Sequence, residues 1–356
     1  MNIIDATKSY EAWLSKELVL LEGDLHHKHE LMAEAVFPFL RATYYRWAQI
    51  WVETAGDLAG GLPVLAVGDL HIENFGTWRD EDGRLVWGVN DLDEAAELPF
   101  TLDLTRLAVS AILASEHHGL GATRAQIAHA LLDGYRSGAE AGGVPFVLEE
   151  RHAALRTMVR DRLKDPSAFW GKLTALPELK GRKPKTAIRL LMSLLPHGVE
   201  SLRVVHRVAG LGSLGRRRLT AVGQFEGGFL AREVKQLAPP ASWWAKLSDS
   251  KAIRYGELLH ASARCADPFL RQRENWVGRR LSPSNSRIEL DDLPRERDIR
   301  RLLNCMGAET ANIHLGSASR KRLLKALSEV SPTVFVKTTR ALENAVTRDW
   351  KEWNAR

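Results

Sequence analysis

Gly68-Asp69-Leu70-His71-Ile72-Glu73-Asn74 is followed, 17 residues after the Asn, by Asp91-Leu92-Asp93-Glu94. Residue types at this spacing can serve phosphoryl transfer. Asp69 can orient a substrate hydroxyl and take its proton as the new bond forms. Asn74 and Asp91 can hold Mg²⁺ on a nucleotide's phosphates through hard oxygen atoms, with Asp93 as a second carboxylate. Asp and Asn are also common in turns, because their side chains bond nearby backbone. It is the ordered set, rather than any one member, that points to chemistry.

Neighbouring elements must bring these groups to one edge. Leu62-Pro63-Val64-Leu65-Ala66-Val67 is a short apolar run and reads as a buried strand that delivers Asp69. Residues 74–79 and 84–89 flank Asp80-Glu81-Asp82-Gly83, the pattern of a hairpin whose second strand ends at Asn90-Asp91. Much later, Gly210-Leu211-Gly212-Ser213-Leu214-Gly215 lies between two strand-like segments, 204–209 and 217–225. In a dinucleotide-binding turn this pattern runs directly into a helix. Between strands it suits a loop folded over phosphates, since glycine has no Cβ to block the backbone's approach. A third strand-like segment, 229–237, carries Lys235.

At the first loop the chain resembles the aminoglycoside and choline kinase branch of the protein-kinase-like fold. Gly68 to Asn74 fits that branch's His-Gly-Asp-x-His-x-x-Asn loop from the Gly onward, with Val67 in place of the first His. The branch's next block is Ile-Asp-x-x-x-Ala, a Pro, then Asp-Leu. Here Val89-Asn90-Asp91 opens it, Ala95 and Pro99 follow, and Asp103-Leu104 stands twelve residues after Asp91. Val89 and Asn90 depart modestly from the pattern, and Pro99 comes one place early. More of the chain is similar to the bacterial domain-of-unknown-function family 2252, through Met32-Ala33-Glu34, Phe37-Pro38-Phe39-Leu40-Arg41, the Gly68 to Gly76 loop and Pro99 to Arg106.

That resemblance implies a kinase-like fold and brings no established substrate. By the kinase template, Lys235 is the phosphate-binding lysine, and a Glu from the following helix pairs with it. Glu257, in a helix expected over 251–265, is preferred to Glu233, which shares a strand face with Lys235. His71 and Asp103 brace the catalytic loop. In ordinary kinases the glycine loop and lysine precede the catalytic Asp, whereas here they follow it by about 140 residues. A circular permutation reconciles the two, because chain ends can move while the elements keep their places.

The expected molecule is therefore α+β: bilobal and kinase-like, with circularly permuted element order, a larger helical lobe and a small antiparallel β lobe. Residues 1–200 are expected to form large-lobe helices with the catalytic loop and metal-binding hairpin. Residues 201–286 form the β lobe with the glycine loop and Lys235, and 287–356 are C-terminal helices packing on the large lobe. Apolar periodicity predicts helices over 9–53, 101–115, 123–141, 148–164, 187–195, 295–316 and 322–353. A Gly-, Pro- and Lys-rich connector is expected over 171–185.

With 356 residues, 45% hydrophobic and 26% charged, the chain can bury a sizeable core. No apolar run reaches the roughly 18 residues of a membrane span. The segment from Met1 to Ala6 has neither a basic nor an apolar signal region, so a cytoplasmic location is expected. Cys265 and Cys305, the only cysteines, exclude a disulfide framework and a Cys-based zinc site. A net charge of +6 suits a nucleotide binder as well as a nucleic-acid binder. Its clusters at 180–185, 216–218 and 295–301 read as solvated surface, without an RNA-binding signature.

The expected function is ATP/Mg²⁺-dependent phosphoryl transfer to a hydroxyl or amine of an unidentified small-molecule or protein acceptor. Asp69 is the catalytic residue. Asn74, Asp91 and Asp93 meet the metal, and Gly210, Gly212, Ser213, Gly215, Lys235 and Glu257 meet the nucleotide. The alternatives are a nucleotide-binding regulatory module without turnover, transfer of AMP instead of phosphate, and a basic nucleic-acid-binding protein.

Overall fold

A straight helix over residues 9–53 would be roughly 68 Å long at about 1.5 Å per residue, too long to lay its apolar residues on one core. The computed structural model, which describes residues 1–118, 122–149, 152–160, 163–286 and 296–356, breaks this segment instead. Four helices open the chain: α1 Ile3–Glu17, α2 Glu22–Glu34, α3 Val36–Ala42 and α4 Tyr44–Thr54. Ala35, extended at φ −157° and ψ 163°, separates α2 from α3. The breaks let Tyr10, Met32, Phe39 and Trp47 converge on one buried cluster.

The strands that carry the first motif follow. β1 Pro63–Ala66 pairs antiparallel with β4 Ala96–Pro99. β2 Phe75–Arg79 and β3 Leu85–Val89 form the expected hairpin, with Phe75 opposite Val89 and Arg79 opposite Leu85. Asp80 ties its turn, accepting from the backbone of Asp82 and Arg84 at 3.1 and 2.8 Å. α5 Phe100–His118 and α6 Arg124–Ala141 lie where apolar periodicity puts them, and β5 Phe146–Val147 adds to β3.

Beyond this the elements are shorter than expected. The helix expected over 148–164 is α7 Ala153–Arg160, with residues 150–151 and 161–162 outside the described residues. The expected connector begins inside a helix, α8 Pro166–Thr174, started by Pro166 and by Asp165, whose carboxylate accepts from Ala168 N at 2.6 Å. α9 Lys185–Ser193 then leads to the second β region.

That region is a five-stranded antiparallel sheet of β6 Glu200–Val205, β7 Arg218–Phe225, β8 Gly228–Gln236, β9 Arg271–Arg273 and β10 Trp276–Leu281, in the order β6-β7-β8-β10-β9. Between β8 and β9 stand α10 Ala241–Trp244 and α11 Tyr255–Ala261, the latter shorter than the helix expected over 251–265. Strand alternation gives the sheet two faces. One is apolar: Leu219, Ala221, Val234 and Trp276 pack on Ala187, Leu190 and Leu191 of α9. The other carries Arg218, Thr220, Glu233, Lys235 and Arg279, with α8 covering its apolar end through Leu173 against Val205, Val222 and Ala231.

α12 Glu296–His314 lies along α6, followed by α13 Arg320–Ser328 and α14 Pro332–Asn354. The single helix expected over 322–353 is two, because Ser331 and Pro332 start a new one. The fold is α+β, with small antiparallel sheets set among helices. No described helix is long and apolar enough to cross a membrane.

Candidate active site

The loop after β1 is built around two fully buried residues of α5. Asp103 accepts from Val67 N at 2.8 Å through Oδ2 and from Gly68 N at 2.9 Å through Oδ1, and His314 Nε2 lies 3.1 Å from the same Oδ2. Gly68 has φ +78°, and a Cβ there would stand 2.6 Å from Glu94 O and 2.7 Å from Tyr44 Oη, so conformation and space both require glycine. Arg106, one turn along α5, donates Nε to Asp69 Oδ1 at 2.8 Å and adds a second bond through Nη2. The same Nη2 also reaches Leu40 O at 3.0 Å. Burial pushes the Asp69 carboxyl above its ordinary pKa, with Arg106 pulling the other way.

Asn74 stitches this loop to the end of β3. Its Nδ2 donates to Asp69 O at 3.1 Å and Asp91 O at 2.9 Å, and its Oδ1 accepts from Asp91 N at 2.8 Å. An amide oxygen has two lone pairs, so one is left for a cation. Beside it, Lys235 Nζ from β8 stands 3.0 and 3.1 Å from the two oxygens of Asp91 and 2.7 Å from Asp93. The two carboxylates are pushed apart. Burial raises Asp91, but Lys235, a hydrogen bond with Asp93 and the charge of Arg279 together outweigh it and hold the group below its usual range. Burial and then the charge of Asp91 push Asp93 up to about 7.

The glycine loop packs inward rather than standing as an open flap. Gly210, at φ +77°, turns the chain into a short 3-10 turn from Leu211 to Ser213. A Cβ on Gly212 would lie 3.2 Å from Arg41 O and 3.4 Å from Asp69 Oδ2, so the loop covers the Asp69 carboxylate closely. The N–H groups of Ser213, Leu214 and Arg216 bond within the loop at 3.0, 3.3 and 3.1 Å. Leu211 and Leu214 are buried, which explains the inward set. Gly215 faces α2, its O accepting from Leu21 N at 2.8 Å.

Asp69, Asn74, Asp91, Asp93, Gly210, Gly212 and Ser213 together line a polar cavity of about 60 Å³, with His71 in its wall. Asn74, Asp91 and Gly210 also border a larger cleft of about 940 Å³, which runs past Arg207, Arg218 of β7 and Arg279 of β10.

Glu257 does not join this group. It is half-exposed on α11 and pairs with Arg254 at 2.5 and 2.8 Å. Lys235 takes its carboxylates from Asp91 and Asp93 because the hairpin end occupies the place a helix carboxylate was expected to fill. Glu233, the competing residue, is fully buried and holds Arg207, Arg218 and Arg279 instead. Its carboxyl is held well below the usual range, the three guanidiniums outweighing burial. The 216–218 cluster is likewise not solvated surface. Arg216 and Arg218 share one face of the strand start and are buried on Glu94, at 3.1 Å, and Glu233, at 2.5 Å. The 180–185 cluster is largely exposed, and residues 287–295, where the third cluster begins, lie outside the described residues.

Sequence reading passed over several lining residues. Lys28 of α2 is buried, its Nζ 3.4 Å from Gly212 O, and burial lowers its pKa to about 8. Tyr44 and Arg216 enclose the same cavity. Arg106 lies in the quoted Pro99 to Arg106 block, but nothing local says that it reaches Asp69.

Among the described residues no group of three or more His, Cys, Asp or Glu could hold a metal ion. The two carboxylates and one amide are nonetheless hard oxygen donors, and Asp93 Oδ1 is buried with no hydrogen-bond partner among the described residues. Such a set fits magnesium, which is bound by one or two carboxylates with water and phosphate completing its shell.

No curated protein and no solved structure matches the chain. A family model described as "Uncharacterized protein conserved in bacteria (DUF2252)" matches residues 21–166. The chain is similar to that family over the stretch that carries Asp69, Asn74, Asp91 and Asp93, and the match ends before the glycine loop and Lys235.

Proposed function

We propose that the chain is an ATP/Mg²⁺-dependent phosphotransferase of kinase-like, bilobal design with permuted element order, acting on a hydroxyl or amine of a small molecule or protein. One observation carries this reading. Lys235 and Asp91, 144 residues apart, meet at 3.0 Å at the edge of a nucleotide-sized cleft, and Gly212 closes over Asp69 beside them. Asn74, Asp91 and Gly210 border one space, with Lys235 directly behind Asp91, an arrangement that suits phosphoryl transfer.

Asp91, Asp93 and the remaining lone pair of Asn74 would hold the magnesium ion, which when bound would neutralise charge on phosphate oxygens. Lys235 exchanges part of its contact with the carboxylates for contact with phosphate. Asp69 holds the acceptor group and takes its proton through Oδ2, since Arg106 engages Oδ1. A raised carboxyl pKa suits that role, because a stronger base accepts the proton more readily. The inward set of the glycine loop, with Lys28, Tyr44 and Arg216 around Asp69, keeps water from the reacting groups.

The test is turnover. Purified protein with Mg-ATP and a metabolite library should release ADP, and Asp69→Asn should remove that activity. Release of AMP with pyrophosphate would replace this reading with nucleotidyl transfer. An absence of both nucleotide binding and turnover would end it.

A further inference from the structure

Glu233 is surrounded by more positive charge than it can balance. Arg207 donates to it at 2.7 and 3.0 Å, Arg218 at 2.5 Å, Arg279 at 3.0 and 2.7 Å, and Thr220 Oγ1 at 3.2 Å. Three guanidiniums against one carboxylate leave a surplus of two positive charges. If the cluster served only to tie the strands together, balanced charges would do it better, because uncompensated buried charge is costly. Arg218 has a local task. It is buried, and its Nη2 donates to Ala209 O at 2.9 Å and Ser213 Oγ at 3.1 Å, which anchors the glycine loop. Arg207 and Arg279 have none. Each gives Nε and Nη2 to Glu233, which leaves Nη1 without a hydrogen bond to the described residues.

Both of these side chains are partly exposed, at 26% and 32%, and both line the 940 Å³ cleft that Asp91 and Gly210 also border. Glu233 stands two residues before Lys235 on β8, so the two share a face about 7 Å apart along the strand. The cleft thus presents the Arg207 and Arg279 pair in line with its Asp91 edge. Lys235 lies buried just behind that edge, 3.0 Å from Asp91. A guanidinium fixed through Nε and Nη2 has a set orientation, and its free N–H edge suits a phosphate oxygen.

We propose that Arg207 and Arg279, held by Glu233, form a second anion subsite that takes a phosphate group of a polyphosphorylated ligand whose other end lies at the Asp91 and Gly210 edge of the cleft, beside Lys235. The identity of that ligand as the phosphoryl donor rests on the phosphotransferase reading, while the subsite itself rests on the arginine geometry. A nucleotide tail and an inorganic polyphosphate present the same chemistry here. Glu233 is a positioning residue, and Arg207 and Arg279 make the contact.

The full chain is titrated calorimetrically with inorganic tripolyphosphate in EDTA, and separately with Mg-ATP. Wild type should bind tripolyphosphate without metal, more weakly as salt rises. Arg207→Gln and Arg279→Gln should each weaken it about tenfold or more, the scale of a charge-assisted hydrogen bond. Each single variant leaves Glu233 two guanidiniums, so both should melt near wild type. Failure of wild type to bind tripolyphosphate, a measurement independent of any variant's folding, overturns the subsite. Wild-type affinity in both Gln variants does so too. Tripolyphosphate binding through both arginines with no binding of Mg-ATP would retire the ATP reading and leave the subsite standing. Mg-ATP bound equally by wild type and both variants would retain the ATP reading and remove the subsite.

Discussion

Asp69 and Asp91 are both carboxylates of one cavity wall, yet their surroundings fit them to different work. Asp91 is 42% exposed, its carboxylate meets Lys235 and the backbone N of Asp93, and Asp93 remains to hold Lys235, so its loss should leave the fold intact. Asp91→Ala is expected to abolish the thermal stabilisation by Mg-ATP. At 100 times the dissociation constant that stabilisation is about 2.7 kcal/mol. A mutant that keeps the full shift would show that Asp91 is not a metal ligand. Asp69 is bound to the fully buried Arg106, so Asp69→Asn has two effects. It should cut turnover roughly a hundredfold or more while Mg-ATP still binds, because an amide cannot take the acceptor's proton. It should also cost about 2–3 kcal/mol of stability. This is somewhat less than the loss expected for a fully buried pair, since Asp69 keeps some solvent. Turnover is therefore compared well below the mutant's melting temperature, and equal rates would remove Asp69 from the chemistry.

At the scale of elements, β8 and α11 each offered a glutamate, and burial separates them. Glu233→Ala strips three guanidiniums of their counter-charge and should cost at least about 3 kcal/mol in urea unfolding. Glu257→Ala removes an exposed pair and should stay within about 0.5 kcal/mol of wild type. The reverse ranking would restore Glu257 as the structural partner. α12 carries a pH signature. Glu309 is buried against β3, accepting from Val89 N at 3.3 Å and Asn312 Nδ2 at 3.0 Å, and burial pushes its pKa from 4.5 to about 7. A raised carboxyl favours the folded state while it is protonated in both states, so this contribution is present below about pH 4.5. It is lost progressively as pH rises through about 7. Glu309→Gln should remove that slope, gaining about 3 kcal/mol on wild type between pH 4.5 and 8. Denaturant melts across that range, read for slope, test this, and parallel curves would refute it.

Across the whole molecule, the five-stranded sheet is joined to the helices by charged contacts that would be costly to separate. Besides Lys235 with Asp91 and Asp93, Arg216 reaches Glu94 at 3.1 Å, and Glu94 also accepts from Ala241 N at 2.6 Å. Arg46 of α4 meets Asp349 of α14 at 2.6 Å, both nearly buried, which fixes the last helix to the first ones. Opening the sheet from the helices would expose several such groups at once. Thermal unfolding followed by far-UV circular dichroism and by tryptophan fluorescence should therefore give one coincident transition, which Mg-ATP moves as a unit. Two separated transitions would mean that the halves of the site are independent bodies.

What the sequence determined by itself is local. The strand before Asp69, the Asp80 to Gly83 turn, the two strands after the glycine loop, and α5 and α6 were legible, because hydrophobic period and turn chemistry act over a few residues, while the strand expected over 204–209 lies earlier, at Glu200–Val205. The association of Asp69, Asn74 and Asp91 was legible for the same reason, since one strand and one hairpin bring them together. The tertiary structure decided which groups meet across the chain. Strand alternation places Glu233 and Lys235 on one face, but does not say that the hairpin end lies opposite one and three arginines opposite the other. It also decided that Arg216 and Arg218 turn inward, that Arg106 holds Asp69, and that the N-terminal helical run breaks into four. Partners some 140 residues apart leave no trace in periodicity. Whether a charged side chain is solvent surface or site is settled by what packs against it, and that surface does not exist until the chain has folded.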